Sequence, residues 1–573
     1  GRVAAVKRTA GILIAIAAML IGGGASVHGA SIVDSRHNLS ISGPGTVKAS
    51  GESRVCVFCH TPHNARQDTP YPWNRAAQST IYTPYASSTL AATVGQPTGA
   101  SRLCLSCHDG TIALGAVLSE PTAIAFSGAV TLSGRSTSLA TDLSDDHPVS
   151  FDYRSSITAG NLELVEASAL SSSPVQLDAA GQLQCTACHD PHDNEYGKFL
   201  VMTNQGSALC IECHVKDEWP VSTHATSAAV WSGTGVDPWP DSDYATVAEN
   251  GCGNCHRPHT AATHQRLLRW GNEEDNCLVC HGGEVATASD IAADLTKIYR
   301  HPVADFLGVH DAAEDFKDPG GVSRHVECAD CHNPHQVNGA TAVAPYASGR
   351  NIGVQGIDGA GAGITSALNL YEICFKCHAD TPNNVIPTPA VTRQISQVNT
   401  RLEFSDGNPS SHPVVRTTDS PAVPSLLPPY TSGGFIYCTD CHGSDDPAAG
   451  AAGPHGSMNE HLLVANYSTA DRQAESADAY ALCYQCHSRT IILSPHGGFP
   501  QHEKHIRDTS CATCHDPHGI SATQGNSTNN RRLINFNIDV VIPSSDGQLY
   551  YDGDGMQPTC VLICHQHEHK ERG

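Results

Sequence analysis

Eleven times the chain reads Cys-x-x-Cys-His: two thiols three positions apart and an imidazole directly after the second. The thiol pairs are Cys56 and Cys59, Cys104 and Cys107, Cys185 and Cys188, Cys210 and Cys213, Cys252 and Cys255, Cys277 and Cys280, Cys328 and Cys331, Cys374 and Cys377, Cys438 and Cys441, Cys483 and Cys486, and Cys511 and Cys514. A twelfth pair, Cys560 and Cys564, has three intervening residues and is again followed by histidine. The twelve histidines are His60, His108, His189, His214, His256, His281, His332, His378, His442, His487, His515 and His565, and the motifs consume all 24 cysteines. Two thiols on a short turn add across the two vinyl groups of a porphyrin, and the next histidine then lies under the ring as the proximal iron ligand. The pattern predicts twelve covalently bound haem c groups. Zinc knuckles also use Cys-x-x-Cys, but they need a second knuckle or a histidine pair and place no premium on this histidine. A disulfide framework gives no reason for it either. At the twelfth motif, a Cys560–Cys564 disulfide or an empty site stays open beside a haem on the wider loop.

The other 21 histidines have a pattern of their own. CVFCHTPH, CTACHDPH, CGNCHRPH, CADCHNPH and CATCHDPH extend five motifs into a His-x-Pro-His tail that ends on His63, His192, His259, His335 and His518. Tailed and plain motifs alternate, except that the ninth, CTDCHGSD, lacks the tail and is followed by Gly-Pro-His455-Gly. This is an internal repeat of six two-haem units, spanning approximately 31–140, 141–218, 219–295, 296–405, 406–492 and 493–573. Each unit opens with a lone upstream histidine: His37, His147, His224, His301, His412, and one of His496, His502 or His505, of which His505 is preferred. His325 competes with His301 for the fourth unit. One upstream and one tail histidine per unit supply twelve distal ligands for twelve irons. His264, His310, His461, His567 and His569 are surplus. Met/His ligation raises haem potential, but only Met202, Met458 and Met556 lie beyond residue 30, so the sites read as bis-histidine and of low potential.

The elements that must position these residues are modest. Aromatics are 6% of 573 residues, too few for a peptide-only core in so long a chain, so the haems themselves must serve as core. The expected fold is mostly irregular, with short helices and few short strands, elongated around a stack of haems. Short helices should carry plain motifs such as SALCIECH, NLYEICFKCH and AYALCYQCH, where a polar start leads into apolar residues. The stretches 111–140, 339–367 and 381–434 are rich in turn residues, and a hairpin is expected over 533–552, where two apolar runs flank Ser-Ser-Asp. Successive motifs start 25 to 81 residues apart, which forces neighbouring haems together.

Fifty-seven acidic against 33 basic residues give a net charge of −24, which argues against nucleic-acid partners and anionic membrane surfaces. Arg2, Lys7 and Arg8, the apolar run Ala10 to Ile21 and the small residues up to Ala30 have the layout of a signal peptide over 1–30. The run is shorter than the ~20 residues of a bilayer span. Export is therefore expected, to the exterior or cell surface or else the periplasm, with no stable membrane span after cleavage.

The pairing of CxxCHxPH with LCxxCH resembles the doubled-motif multihaem cytochromes of metal-reducing bacteria, from SRHNLS and SGPGT near the start to the terminal CVLICH. It is similar to the group that includes extracellular cytochrome filaments, or nanowires. The resemblance implies that the tail histidines His63, His192, His259, His335 and His518 ligate neighbouring haems. It also implies an interface haem completed from the next subunit, for which His37 is the nominee. The partners implied are copies of the chain itself, redox partner cytochromes and an extracellular electron acceptor. The tail-less ninth motif and the count of twelve depart from the resemblance. The reading is an electron conductor, most sharply a filament subunit, with a monomeric carrier or conduit subunit as the alternative. An enzyme needs an open axial position, often announced by lysine in place of the motif histidine, and all twelve motifs end in histidine; no catalytic residue is expected.

Overall fold

The computed structural model describes residues 31–309, 325–380, 391–417, 423–448, 451–495, 499–522, 530–552 and 559–570. The signal segment 1–30, His310 and His496 lie outside them.

The chain is mostly loop, with short helices and small antiparallel strand pairs. The longest helices, Gly99–His108, Glu273–His281 and Leu370–His378, each end on the histidine of a plain motif. Their starts explain why they form. Asn369 and Glu372 make a reciprocal cap, and Glu273, Glu274 and Asp275 place negative charge at the positive end of their helix. Four-residue helices Ala208–Ile211 and Ala481–Tyr484 carry two more plain motifs. Tailed motifs fold as a single turn, as in Cys185–Ala187 and Cys328–Asp330. The turn closes when the histidine N–H donates to the first cysteine's carbonyl, as in His189 to Cys185 and His332 to Cys328, both at 3.0 Å.

Two of the two-residue strand pairs join one unit to the next. Tyr299–Arg300, just before His301, pairs with Gly456–Ser457, just after His455. Ser410–Ser411, before His412, pairs with Gly519–Ile520, after His518. Apolar packing is divided into small clusters with motif cysteines at their rims, such as Phe151, Val175, Leu183 and Ala187 beside Cys213. The expected hairpin over 533–552 does not form. Val541–Ile542 and Tyr550–Asp552 instead flank Thr559–Cys564, which lies between them. The run Thr-Cys-Val-Leu-Ile-Cys is a longer β-forming segment than either, and it takes the central position.

One buried ion pair ties two motifs together. Lys376, 2% exposed on the helix of the eighth motif, donates to the Asp330 carbonyl in the seventh at 2.5 Å, and its Nζ lies 3.4 Å from the Asp330 carboxylate. Lys376→Met strands a buried carboxylate, so it should destabilise the protein by about 3–5 kcal/mol. The expected readout is a lower denaturation midpoint at unchanged slope.

Candidate functional site

The motif histidines meet other histidines in twos. Among tailed motifs and their tail-less counterpart, ring centroids are 6.1 Å apart for His60 and His192, and 6.2 Å for His189 and His259, His256 and His335, and His332 and His455. His442 and His518 are 6.0 Å apart, and His515 and His502 are 6.3 Å apart. Among plain motifs the pairs are His108 with His37 and His281 with His224 at 6.2 Å, and His214 with His147 and His378 with His301 at 6.3 Å. His412 acts electrostatically on His487, whose pKa burial and His412 together lower to about 4.

An iron bonded to two imidazole nitrogens at about 2 Å sets the ring centroids about 6 Å apart. The observed pairs have that spacing, so the residues fit a six-coordinate haem. Burial also suits them. It pushes His214, His442, His455 and His515 down to about 4 and His335 to about 3, which keeps the imidazoles in the neutral form that binds metal. An apolar cleft lined by Tyr85, Leu105, His147, Cys185 and His259 opens at the third motif, where a ring would lie.

Backbone carbonyls orient the rings. Nδ1–H of His189, His256, His442 and His515 donates to the carbonyls of Lys198, Arg266, His461 and Arg532 at 2.8–3.1 Å, which leaves Nε2 for a metal. Each acceptor and the residue after it have left-handed φ near +50 to +60°: Lys198-Phe199, Arg266-Leu267, His461-Leu462 and Arg532-Leu533. Two consecutive left-handed residues without glycine are costly and mark functional positions. They fold the chain back so that the next aliphatic residue, Leu200, Leu268, Leu463 or Ile534, bridges to the motif histidine. Sequence reasoning missed this. The signal was a basic residue followed by two apolar ones shortly after these motifs, and His461, taken as surplus, is one such acceptor.

The upstream histidines are held across the unit boundary. Nδ1–H of His37, His224, His301 and His412 donates to the carbonyls of Pro191, Pro334, Pro454 and Pro517. For His147 it is the backbone N–H that reaches Pro258, at 2.8 Å. Each of these prolines precedes the tail histidine of the following unit. One Pro-His dipeptide therefore holds the two imidazoles that face the motif histidines of the unit before it. The ninth motif lost its adjacent tail yet keeps Pro454-His455, the part that acts.

The remaining candidates are separated from these pairs. His301 faces His378, while His325 stacks on Phe306 at 4.2 Å. His37, the nominee for an interface, faces His108 within its own chain. Among the described residues no imidazole faces His63, which is exposed together with Pro62. At the last motif His505 lies 6.0 Å from His569, one of the surplus histidines, and Nε2 of His565 lies 2.9 Å from the Asp471 carboxylate.

None of the 24 cysteines is paired in a disulfide, and they form a line in sequence order. Between units the contact is direct: Cys104 with Cys185, Cys210 with Cys252, Cys277 with Cys328, Cys374 with Cys438, and Cys483 with Cys511 share side-chain hydrogen bonds. These contacts lower Cys185 to about 7 and Cys252 to about 6. Within units the second thiols interact electrostatically: Cys59 with Cys107, Cys188 with Cys213, Cys255 with Cys280, Cys331 with Cys377, Cys441 with Cys486, and Cys514 with Cys560 and Cys564. The twelve motifs therefore follow one another along the chain without a gap.

Two tail histidines carry a carboxylate behind them. Nδ1–H of His259 donates to Asp146 at 3.1 Å and that of His518 to Glu403 at 3.1 Å. A carboxylate makes the imidazole a stronger donor and favours the ferric state. Asp146→Asn should therefore raise the potential of the third haem by about 60 mV, one decade in a one-electron equilibrium. Spectroelectrochemical titration reads this as one component moving to higher potential.

The family model described as doubled CXXCH motif matches residues 178–218, 245–286 and 428–491. Each match contains one tailed or tail-replaced motif and the plain motif after it. No curated protein matches the chain.

Proposed function

We propose, from the premise that the chain is a multihaem c-type cytochrome of the doubled-CXXCH kind, that it moves electrons over long range through twelve bis-histidine haems as the subunit of an extracellular filament. The observation that carries the reading is the unbroken line of thiols in sequence order, since electrons pass only between cofactors whose edges are close. Each bound haem supplies an iron that changes oxidation state without making or breaking a bond to substrate. The chain's own residues do the rest. Paired imidazoles would hold the iron on both faces, carbonyls hold Nδ1–H, and the apolar clusters pack against the motif cysteines that would tether the ring. Closed faces favour conduction over catalysis, because a reductase needs a free coordination position.

The filament form is supported by Pro62 and His63. Every later Pro-His dipeptide serves the unit before it, and His63 faces no imidazole among the described residues, so a second copy would supply the unit it serves. That role was first given to His37, which already has a partner. Electron microscopy of native material tests the reading: filaments are expected from the natural sequence and separated particles from His63→Ala with its haems intact. Separated particles from the natural sequence overturn the filament. The carrier or conduit reading rests on a different observation, the 6.3 Å pairing of His502 with His515, which closes the sixth unit without a second copy. Export past the inner membrane, redox partner cytochromes and an extracellular acceptor complete the proposal.

A further inference from the structure

The twelfth motif is built unlike the other eleven. The others turn through a helical or 3-10 turn. Here Cys560 and Cys564 lie at the two ends of one strand, Thr559–Cys564, whose neighbour His567–His569 folds back beside it. Residues two apart on a strand share a face, and directly opposed residues on antiparallel strands share it too. Cys560, Leu562 and Cys564 therefore share a face. His569 is opposite Leu562 and His567 is opposite Cys564, so both project to that face. His569 thus stands beside the midpoint between the two thiols.

His565 does not reach that face in the same way. It sits in the turn after the strand at φ +48°, and its Nε2 is 2.9 and 3.1 Å from the two oxygens of Asp471. At most other motifs Nδ1 is the nitrogen engaged by the protein and Nε2 is left for iron; at His565 the protein engages Nε2. Across the site, His505 has Nδ1 on the Gln501 carbonyl at 2.8 Å, which leaves its Nε2 for metal. Its ring is 6.0 Å from that of His569, the spacing of the other pairs.

We infer that the twelfth haem is ligated by His569 from the strand pair and His505 across the ring, and that Asp471 holds His565 off the iron. The inference rests on the multihaem reading, and its test separates the two. Full-length haem-loaded protein is prepared with His569→Met and, separately, with His565→Met. Met/His ligation raises haem potential, so in His569→Met one iron in twelve should titrate above its place in the natural protein and show a long-wavelength methionine-to-iron absorption band. His565→Met should leave the redox and optical envelopes unchanged. The reverse pattern, a band in both or a band in neither overturns the assignment. A natural protein that holds only eleven haems by intact mass overturns it too, while leaving the line of eleven and the conductor reading in place.

Discussion

Replacing Cys252 and Cys255 with alanine should remove the fifth haem and lower the current through a single molecule by orders of magnitude, although eleven cofactors remain. The reason is the order of the thiol line. The fourth site meets the fifth through Cys210 and Cys252, and the fifth meets the sixth through Cys255 and Cys280. Among the described residues no thiol contact bypasses the fifth site, so its loss leaves a gap in the line. Removing Cys560 and Cys564 instead should separate the two functional readings. In isolated molecules it only shortens the line by one terminal site, because the twelfth motif touches the line through Cys514 alone. In a filament the terminal site is internal to the polymer, and its loss should interrupt conduction as fully as loss of the fifth. Haem content by intact mass, measured beside the current, shows that one cofactor has gone and the rest have stayed. A central deletion that leaves the current unchanged would show that electrons do not follow the thiol line.

How much of this could be read from the chain follows from what chemistry makes contiguous. Thioether attachment needs neighbouring residues, and at eleven motifs so does the proximal ligand, so the motifs are legible letter by letter. The short helices under the plain motifs are legible too, since polar starts and apolar interiors announce them in NLYEICFKCH and AYALCYQCH. The distal side is different. The alternation of tails reveals six units, but nothing in one-dimensional spacing says that His192 of the second unit faces His60 of the first. That shift by one unit is accompanied by contacts as small as the single bridge Ser31–Asp193 or the two-residue pair Tyr299–Arg300 with Gly456–Ser457, which no periodicity in sequence reveals. His461 and His569 were set aside because they stand outside the repeat. One acts through its backbone carbonyl, which any residue type supplies, and the other through register on a four-stranded sheet whose central strand was not expected.

The fully oxidised protein should show two populations of low-spin ferric haem, one for each kind of motif. In the tailed motifs and the ninth, the two imidazole planes lie within 6° to 43° of each other: 16° for His60 and His192, 34° for His189 and His259, 6° for His256 and His335, 23° for His332 and His455, 41° for His442 and His518, and 43° for His515 and His502. In four of the plain motifs they are crossed, at 64° for His108 and His37, 78° for His214 and His147, 77° for His281 and His224, and 52° for His378 and His301, whereas His505 and His569 at the twelfth lie at 34° and join the first set. Parallel imidazoles donate into the same iron dπ orbital and split the pair; crossed imidazoles donate into both and leave them nearly degenerate. Low-temperature electron paramagnetic resonance should therefore resolve rhombic signals from the first set and strongly anisotropic, large-g signals from the second. A spectrum with only one class would overturn the alternation. The cause lies in the Pro-His dipeptide. In Pro191-His192, the histidine ring itself faces His60, whereas the proline carbonyl fixes the His37 ring that faces His108. The two ligands leave one short segment in different directions and meet their irons at different angles. Ligand orientation joins ligand identity and hydrogen bonding among the levers on haem potential, so the alternation gives the line two kinds of site in regular succession.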